Sequence, residues 1–143
     1  MSNKVVDIPL SRKLITTLIK KGAGMTEAIA SVLKEEKLTI QQFNVLRILR
    51  GRKGEPATLQ DVSKNMLHAN SNTTRVIDKL VDKKYVERVQ CCDDRRQIQL
   101  TITKTGLSLL KRLDQKVDDK ENALLDNMSL NDKKTLTDLL EKL

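Results

Sequence analysis

The chain has 143 residues, of which 38% are hydrophobic and 32% are charged, and its formal net charge is +8. This length corresponds to one ordinary domain, and the composition favours helices that have one apolar and one solvated face. No segment is long and apolar enough to span a membrane, and the amino terminus lacks the apolar region of a signal peptide. We therefore expect a cytoplasmic protein with no membrane partner.

The positive charge is concentrated in the middle of the chain. Residues 44–106 carry 13 basic and 7 acidic side chains, whereas residues 107–143 carry 7 basic and 8 acidic ones. A basic central module between more balanced flanks is typical of a domain that binds a polyanion. A well-solvated basic protein is the alternative that charge alone leaves open.

A long amphipathic helix is predicted near the amino terminus, because apolar residues recur at helical spacing from Leu10 to about Lys34. A second helix should begin at Thr39, which can form a capping box with Gln42. Gly51 should end this helix, since glycine is common just after the last helical turn.

Two shorter helices are predicted next. Thr58 starts the first of them, and a polar turn over residues 68–72 separates it from the second. Asn70 or Ser71 can cap the second helix, which should run to about Lys83. Its inward face should consist of the apolar residues Val76, Ile77, Leu80 and Val81.

The hydrophobic period then changes from helical to alternating. Residues 85–90 and 97–103 favour β-strands, and the polar residues 91–96 lie between them as the tip of a β-hairpin. Two helices follow: Thr103 caps a long one with apolar residues near heptad spacing, and Ser129 opens a shorter one at the carboxyl end.

The apolar stripes of the terminal helices are too extensive to be buried on the small central module alone. We therefore predict a homodimer in which these helices form a twofold interface. A monomeric helical bundle is the alternative. The residues expected at the interface are Leu14, Leu18, Ile29, Val32, Val117, Leu124, Leu136 and Leu140.

The order helix, helix, helix, β-hairpin over residues 39–103 is typical of a winged helix-turn-helix. The predicted fold is mostly α-helical, with a small β-hairpin wing in a DNA-binding lobe. Residues 1–38 provide an N-terminal dimerisation helix and residues 104–143 provide C-terminal dimerisation helices. The three parts are expected to form one continuous structural unit.

Residues 71–83 are the candidate recognition helix of this lobe. The major groove of DNA admits one α-helix, and the residues in its first turns reach the base edges. Asparagine and arginine can form paired hydrogen bonds with purines, and hydroxyl groups contact phosphates or bases. An ordinary solvated helix face is the alternative. The candidate DNA-contacting residues are Asn70, Ser71, Asn72, Thr74, Arg75 and Lys79.

The tip of the hairpin is a second candidate DNA contact. It contains Asp94, Arg95 and Arg96, and a basic ribbon tip can enter the narrow minor groove, where the negative potential is strongest. A loop closed by its own salt bridges is the alternative. The position of this tip directly after the candidate recognition helix favours the DNA contact.

Four stretches resemble the MarR (multiple-antibiotic-resistance regulator) family of bacterial winged-helix regulators. They are TTRVIDKL at residues 73–80, YVER at 85–88, DRR at 94–96 and ITKTG at 102–106. The resemblance covers essentially the whole chain and implies a homodimeric transcriptional regulator that binds a pseudo-palindromic operator in double-stranded DNA. It also implies that Arg95 enters the minor groove with support from Asp94 and Arg96. Such proteins are commonly repressors released by small ligands, so a small aromatic or phenolic effector is expected.

Two positions depart from the pattern of this family, and the milder change is Ile102, which stands where the family has leucine. Lys84 follows the candidate recognition helix where the family usually has glycine. A left-handed residue at a helix end is less favourable without glycine, by about 1 kcal/mol. The end of this helix is therefore expected to differ locally.

Cys91 and Cys92 in the wing leave open a second function, that of an oxidation-sensing regulator. The resemblance allows it, since some members of the family sense oxidants through cysteine, and nearby arginines favour the reactive thiolate. Ordinary small wing residues are the alternative. Adjacent cysteines are not spaced like a disulfide framework, so thiols are expected.

Two other classes of protein fit the sequence less well. An RNA- or single-strand-binding module stacks bases on aromatic side chains, but the chain has only Phe43, a predicted core residue, and Tyr85. An enzyme is not expected, because the one histidine, His68, is accompanied by no metal-ligand spacing, phosphate-binding loop or nucleophile motif. Neither a cofactor nor a metal ion is therefore expected.

Overall fold

The computed structural model describes residues 7–68, 72–90, 93 and 97–143. The described part is mostly helical with one small antiparallel sheet, which confirms the predicted fold class. The helices are α1 (Leu10–Leu33), α2 (Ile40–Gly51), α3 (Leu59–Lys64), α4 (Thr73–Asp82), α5 (Lys104–Leu124) and α6 (Leu130–Leu140), and the strands are β1 (Ala57–Thr58), β2 (Val86–Gln90) and β3 (Ile98–Ile102). Some residues with predicted roles lie outside the described residues, namely Asn70, Ser71, Cys91, Cys92, Asp94, Arg95 and Arg96.

Side-chain caps confirm most of the predicted helix starts. At α2, the Gln42 N–H donates to Thr39 Oγ1 and the Thr39 N–H donates to Gln42 Oε1, both at 3.1 Å. The same reciprocal pairing opens α3 and α6, and Thr103 Oγ1 accepts from the Gly106 N–H at the start of α5. Each cap satisfies donors that the first helical turn leaves without a partner.

The start of α4 differs from the prediction. Asn72 is the cap, because its side-chain oxygen accepts from the Arg75 N–H at 3.2 Å and the helix begins at Thr73. The prediction that Asn70 or Ser71 caps this helix was therefore wrong. All three residues have side chains that can cap a helix. The path of the backbone decides which of them comes directly before the first helical residue.

A third strand completes the sheet around the predicted hairpin. β3 lies in the middle, with β1 and β2 paired antiparallel on either side of it. Ala57 and Thr58 of β1 pair with Leu100 and Gln99 of β3. The sequence did not predict β1, because two residues are too few to show the alternating pattern of a strand.

The hydrophobic core lies inside the winged lobe and continues along α5, which packs on α1 and α2. Leu109, Leu110 and Leu113 are the fully buried leucines of α5, and Val117 is only 3% exposed. The assignment of Val117 to a dimer interface was therefore wrong. It continues the buried face of α5 within the subunit, because residues three and four apart share one face of a helix.

The hairpin, α4 and α5 meet at one tightly packed corner. Thr103 alone separates β3 from α5, its N–H donates to the Tyr85 carbonyl at 3.0 Å, and its hydroxyl donates to the Lys84 carbonyl at 2.7 Å. Gly106 lies against this corner, since a Cβ atom there would come within 2.5 Å of the Tyr85 carbonyl oxygen. A glycine is therefore required sterically in the first turn of α5.

Apolar side chains remain exposed on the two terminal helices. The exposed residues at the start of the chain are Ile8, Leu10, Leu14, Ile15 and Ile19, and those of the last helix and its flanks are Leu130, Leu136, Leu139, Leu140 and Leu143. Patches of this kind mark interaction surfaces more often than free surface. Within the described part of the chain, no helix combines the length and the apolarity needed to cross a membrane.

Candidate DNA-binding surface

α4 divides into a buried face and an exposed polar face, which carries the acidic Asp78 and Asp82 as well as two basic residues. Ile77 and Leu80 are 2% and 0% exposed and hold the helix on the lobe, whereas Thr74, Arg75 and Lys79 are exposed. Successive helical residues turn by about 100°, so Arg75 lies near the centre of the exposed face. Thr74 lies on the side of the sheet, and Lys79 lies on the side of α2.

Asn72 has a local structural role in addition to its predicted contact with DNA. Its side-chain oxygen is engaged by the Arg75 N–H, although the side chain as a whole is exposed. A bidentate contact with a purine needs both the oxygen and the amide nitrogen. The cap therefore competes with base recognition by Asn72 and leaves the amide nitrogen for an outside partner.

The α2 side of the candidate recognition helix forms an open cleft of about 350 Å³. Arg75 and Lys79 line it from α4, and Thr39 and Gln41 line it from the start of α2. Lys83 closes the gap between the helices, because its Nζ donates to the Lys37 carbonyl at 2.7 Å and lies 3.4 Å from Gln42 Oε1. The exposed face of α4, with Arg75 and Lys79, is thus held in a fixed relation to α2.

The end of α4 is left-handed even though Lys84 stands there instead of glycine, so the local difference expected from the sequence does not occur. Lys84 has φ 64°, its N–H donates to the Val81 carbonyl at 2.9 Å, and the Tyr85 N–H donates to the Leu80 carbonyl at 3.0 Å. This pair of bonds is a Schellman motif, which satisfies carbonyls that the last turn leaves free. The motif turns the chain directly from α4 into β2.

The side of α4 that faces the sheet carries an ion pair that the sequence analysis missed. Asp78 of α4 pairs with Arg88 of β2, and their side chains are 52% and 39% exposed. The available signal was the charge of Arg88, which stands two residues after the buried Val86 and hence on the same face of the strand. A charged residue at a core-facing strand position needs a partner.

The predicted wing contacts Asp94, Arg95 and Arg96, like Asn70 and Ser71 before α4, lie outside the described residues. Their roles remain predictions. The same is true of oxidation at Cys91 and Cys92. The described strands β2 and β3 nevertheless lead from the end of α4 towards residues 91–96, so the hairpin begins beside the candidate recognition helix.

A separate cleft of about 380 Å³ lies where α1, α2 and α5 meet, away from the exposed face of α4. Met25 and Ile29 line it from α1, and Phe43 and Arg47 line it from α2. The Arg47 guanidinium lies 5.3 Å from the centre of the Phe43 ring, a cation–π distance. The cleft combines apolar walls with the opposite charges of Arg47 and Glu121 and has the size of sites for small molecules.

The helices α2, α3 and α4 followed by the hairpin define a winged helix-turn-helix, a class of DNA-binding fold. The MarR family model matches residues 38–98, which contain these three helices, β1 and β2. Relatives and solved structures agree with that match over most of the chain. Over these residues the chain resembles the MarR family of transcriptional regulators.

Among the curated relatives, the transcriptional regulator PecS of Dickeya dadantii is 28% identical over 130 residues, which are 89% of this chain and 77% of PecS. The crystal structure of apo MarR from E. coli has 26% identity and a TM-score of 0.72, with 95% of this chain and 96% of that chain covered. A mutant of E. coli MarR complexed with operator DNA has 24% identity and a TM-score of 0.82, with 94% and 98% covered. These proteins are regulators, which is a non-enzymatic role and agrees with the expectation from the sequence.

A third similar protein is BpsR of Bordetella bronchiseptica, whose structure is described with a mechanism for regulation of its DNA binding by 6-hydroxynicotinic acid. It has 21% identity and a TM-score of 0.83, and the match covers 95% of this chain and 96% of that chain. At this level of identity the likeness shows the shared fold.

Proposed function

We propose that the chain is a homodimeric, sequence-specific regulator of transcription that binds double-stranded DNA through α4 and acts as a repressor. The observation that carries this proposal is the division of α4 into a buried apolar face and an exposed face centred on Arg75, which Thr74 and Lys79 share with two acidic residues. A helix held in this way fits the major groove, where arginine forms bidentate bonds with guanine. The E. coli MarR complex with operator DNA supports the same use of the fold.

The exposed apolar residues of α1 and α6 support the dimer. Leu14 is 54% exposed and Leu136 is 41% exposed in the single subunit, and a twofold interface between the terminal helices would bury both. Two α4 helices on one face of a dimer would enter successive major grooves, so the operator should be an inverted repeat with half-site centres about 10 base pairs apart.

The cleft between α1, α2 and α5 supports release by a small ligand. Its apolar walls and the stacked pair of Arg47 and Phe43 suit a small aromatic or phenolic compound. BpsR, whose DNA binding is regulated by 6-hydroxynicotinic acid, supports control by such a compound. Titration of simple phenols and aromatic acids into the labelled protein–operator complex, followed by fluorescence anisotropy, tests this part of the proposal.

Selection of bound fragments from a random duplex library with the purified chain tests the DNA-binding function directly. We expect an enriched inverted repeat, and we expect Arg75→Ala to weaken binding to it by about 1–3 kcal/mol while relaxing the preference at one position of each half-site. Lys134→Ala is the matched control, because it removes one exposed positive charge from α6. Absence of an enriched motif, or equal binding by both variants, would contradict the proposal.

Sedimentation equilibrium tests the dimer separately. The wild-type chain should sediment with the mass of two subunits, and Leu14→Asp should shift it towards one, because a charge is then placed in an apolar interface. Thr16→Asp is the control, since Thr16 is exposed on the same helix away from the apolar stripe.

Arg95→Ala should also weaken operator binding if the wing enters the minor groove.

A further inference from the structure

We propose that Asp78 and Arg88 form a clamp that positions the wing against the recognition helix and thereby raises the preference for the operator over other duplex DNA. This inference rests on the proposed function, because the recognition helix and the wing read DNA only in that function. Neither residue is proposed to contact a base. Their role is to hold α4 and β2 at one fixed separation and angle.

The strand register places Arg88 on the inner face of the sheet. Arg88 of β2 pairs with Leu100 of β3, and Val86 pairs with Ile102. Directly paired residues of an antiparallel sheet lie on the same face, and residues two apart on one strand do so as well. Arg88 therefore occupies a position of the same face as Val86 and Leu100, which are 1% and 2% exposed.

The space between the sheet and α4 suits the two parts of an arginine side chain. Arg88 lines a cavity of about 110 Å³ together with the apolar residues Ile77, Ile98 and Leu100, and its guanidinium pairs with Asp78. Arginine can keep its aliphatic stem on an apolar surface while its charged head reaches a polar partner. Arg88 thus bridges from the sheet to the exposed face of the helix.

The clamp gives β2 a second point of attachment to α4. The first point is the corner at Lys84, which Thr103 holds through its hydroxyl group. Arg88 lies four residues further on, about 13 Å along an extended strand. Pairing with β3 orders β2 within the sheet, and the corner and the ion pair together fix the direction of β2 relative to α4. β2 leads directly to the residues of the wing tip.

Direct electrostatic attraction to DNA does not explain Asp78, because its charge has the same sign as the phosphates. Asp78 lies one turn after Arg75 on the side of α4 that faces the sheet, where a free carboxylate would repel the phosphates of DNA. A half-exposed ion pair also adds little to folding stability. The effect of the pair is therefore expected in DNA recognition rather than in stability.

The decisive comparison is between Asp78→Asn and Asp82→Asn. Both substitutions remove one negative charge from α4, and Asp82 has no ion-pair partner among the described residues. The probes are the duplex selected by the wild-type chain and a scrambled duplex of the same composition, with dissociation constants measured at several salt concentrations.

Charge removal should strengthen binding of both variants to the scrambled duplex by a similar, small factor. Asp82→Asn should strengthen binding to the selected duplex as well. Asp78→Asn should instead weaken binding to the selected duplex by about tenfold, the loss expected when one base contact is misplaced. Asp78→Glu keeps the carboxylate and should show the preference of the wild type for the selected duplex over the scrambled one.

Equal ratios of selected to scrambled binding for Asp78→Asn and Asp82→Asn would overturn the inference. Hydrogen exchange of the β2 amides without DNA provides an independent readout, since Asp78→Asn should speed exchange at residues 88–90 and Asp82→Asn should not. Unchanged exchange would reject the clamp itself. If the wild-type chain selects no duplex, the proposed function fails and the role in DNA recognition fails with it, while exchange still reports on the clamp.

Discussion

Replacement of Lys84 by glycine should stabilise the protein, although it removes a side chain and adds flexibility. Lys84 has φ 64° and lies in the Schellman motif that ends α4. A side chain at this φ brings Cβ close to the following carbonyl oxygen, and this contact disfavours the left-handed conformation for every residue except glycine. Lys84 is exposed, so the substitution removes no buried surface.

The magnitude follows from two opposing terms. Relief of the left-handed conformation contributes about 1–2 kcal/mol, and the greater freedom of glycine in the unfolded chain offsets about 0.4–1 kcal/mol of it. The expected net stabilisation is about 0.5–1 kcal/mol. The entropy of unfolding is about 2.1 cal/mol/K per residue, or about 0.3 kcal/mol/K for this chain, so the melting temperature should rise by about 2–3 °C.

Thermal denaturation followed by circular dichroism measures this shift, with every variant at the same protein concentration because the chain is proposed to dimerise. Lys111→Gly is the matched control, since Lys111 is exposed within α5 and glycine there should destabilise by about 1 kcal/mol. The two substitutions are chemically identical and should have opposite signs. A lower melting temperature for Lys84→Gly would refute the argument from backbone conformation.

Three further changes test other parts of the structure. Gly106→Ala should destabilise the fold by roughly 1–3 kcal/mol, because the new methyl group meets a backbone carbonyl oxygen. The new methyl group of Gly22→Ala meets nothing within 4 Å and should stabilise α1 by up to about 1 kcal/mol. Changes of the same sign in the free energy of unfolding of both variants, measured by urea denaturation, would contradict this. Asn72→Ala should lose about 1 kcal/mol of stability with the cap of α4, and Asn72→Ser should retain most of it, so equal midpoints in urea would show that the cap is unimportant. Hydrogen bonds from Thr58, first from its backbone N–H, lower the pKa of Asp61 below the ordinary value of 3.8. The Asp61 carboxylate therefore stabilises the fold at pH values above 3.8 and loses this effect as the pH falls through its lowered pKa. The difference in the free energy of unfolding between the wild type and Asp61→Asn should shrink from about pH 6 towards about pH 3. A difference that stays constant over this range would contradict the role of the carboxylate.

Features that depend on neighbouring residues were predictable from the sequence. The caps at Thr39, Thr58 and Ser129 were correctly predicted because a capping box is formed within four residues. The end of α4 is an exception, because Lys84 keeps the left-handed conformation although the absence of glycine led us to expect a local difference. The cap of α4 was placed wrongly because three adjacent residues have the same chemistry.

Features that depend on distant contacts were not predictable. The apolar stripe of α5 gave no means of separating Val117, which lies in the core of the subunit, from Leu124, which is 38% exposed. The spacing from Val86 already indicates the face on which Arg88 lies, but its partner Asp78 is ten residues earlier on another element, and only the folded chain brings the two together. The short strand β1 was missed for a related reason, because its pairing with β3 and not its own composition makes it a strand.

The junction between β3 and α5 has a mechanical consequence. Thr103 is the single residue that joins them. Its hydroxyl hydrogen bond and the close packing of Gly106 fix the backbone at this corner. α5 has 21 residues and is about 30 Å long, and it thus extends without interruption from the base of the hairpin. A movement that tilts the far end of α5 is therefore transmitted to the hairpin, because no loop lies between them to absorb it.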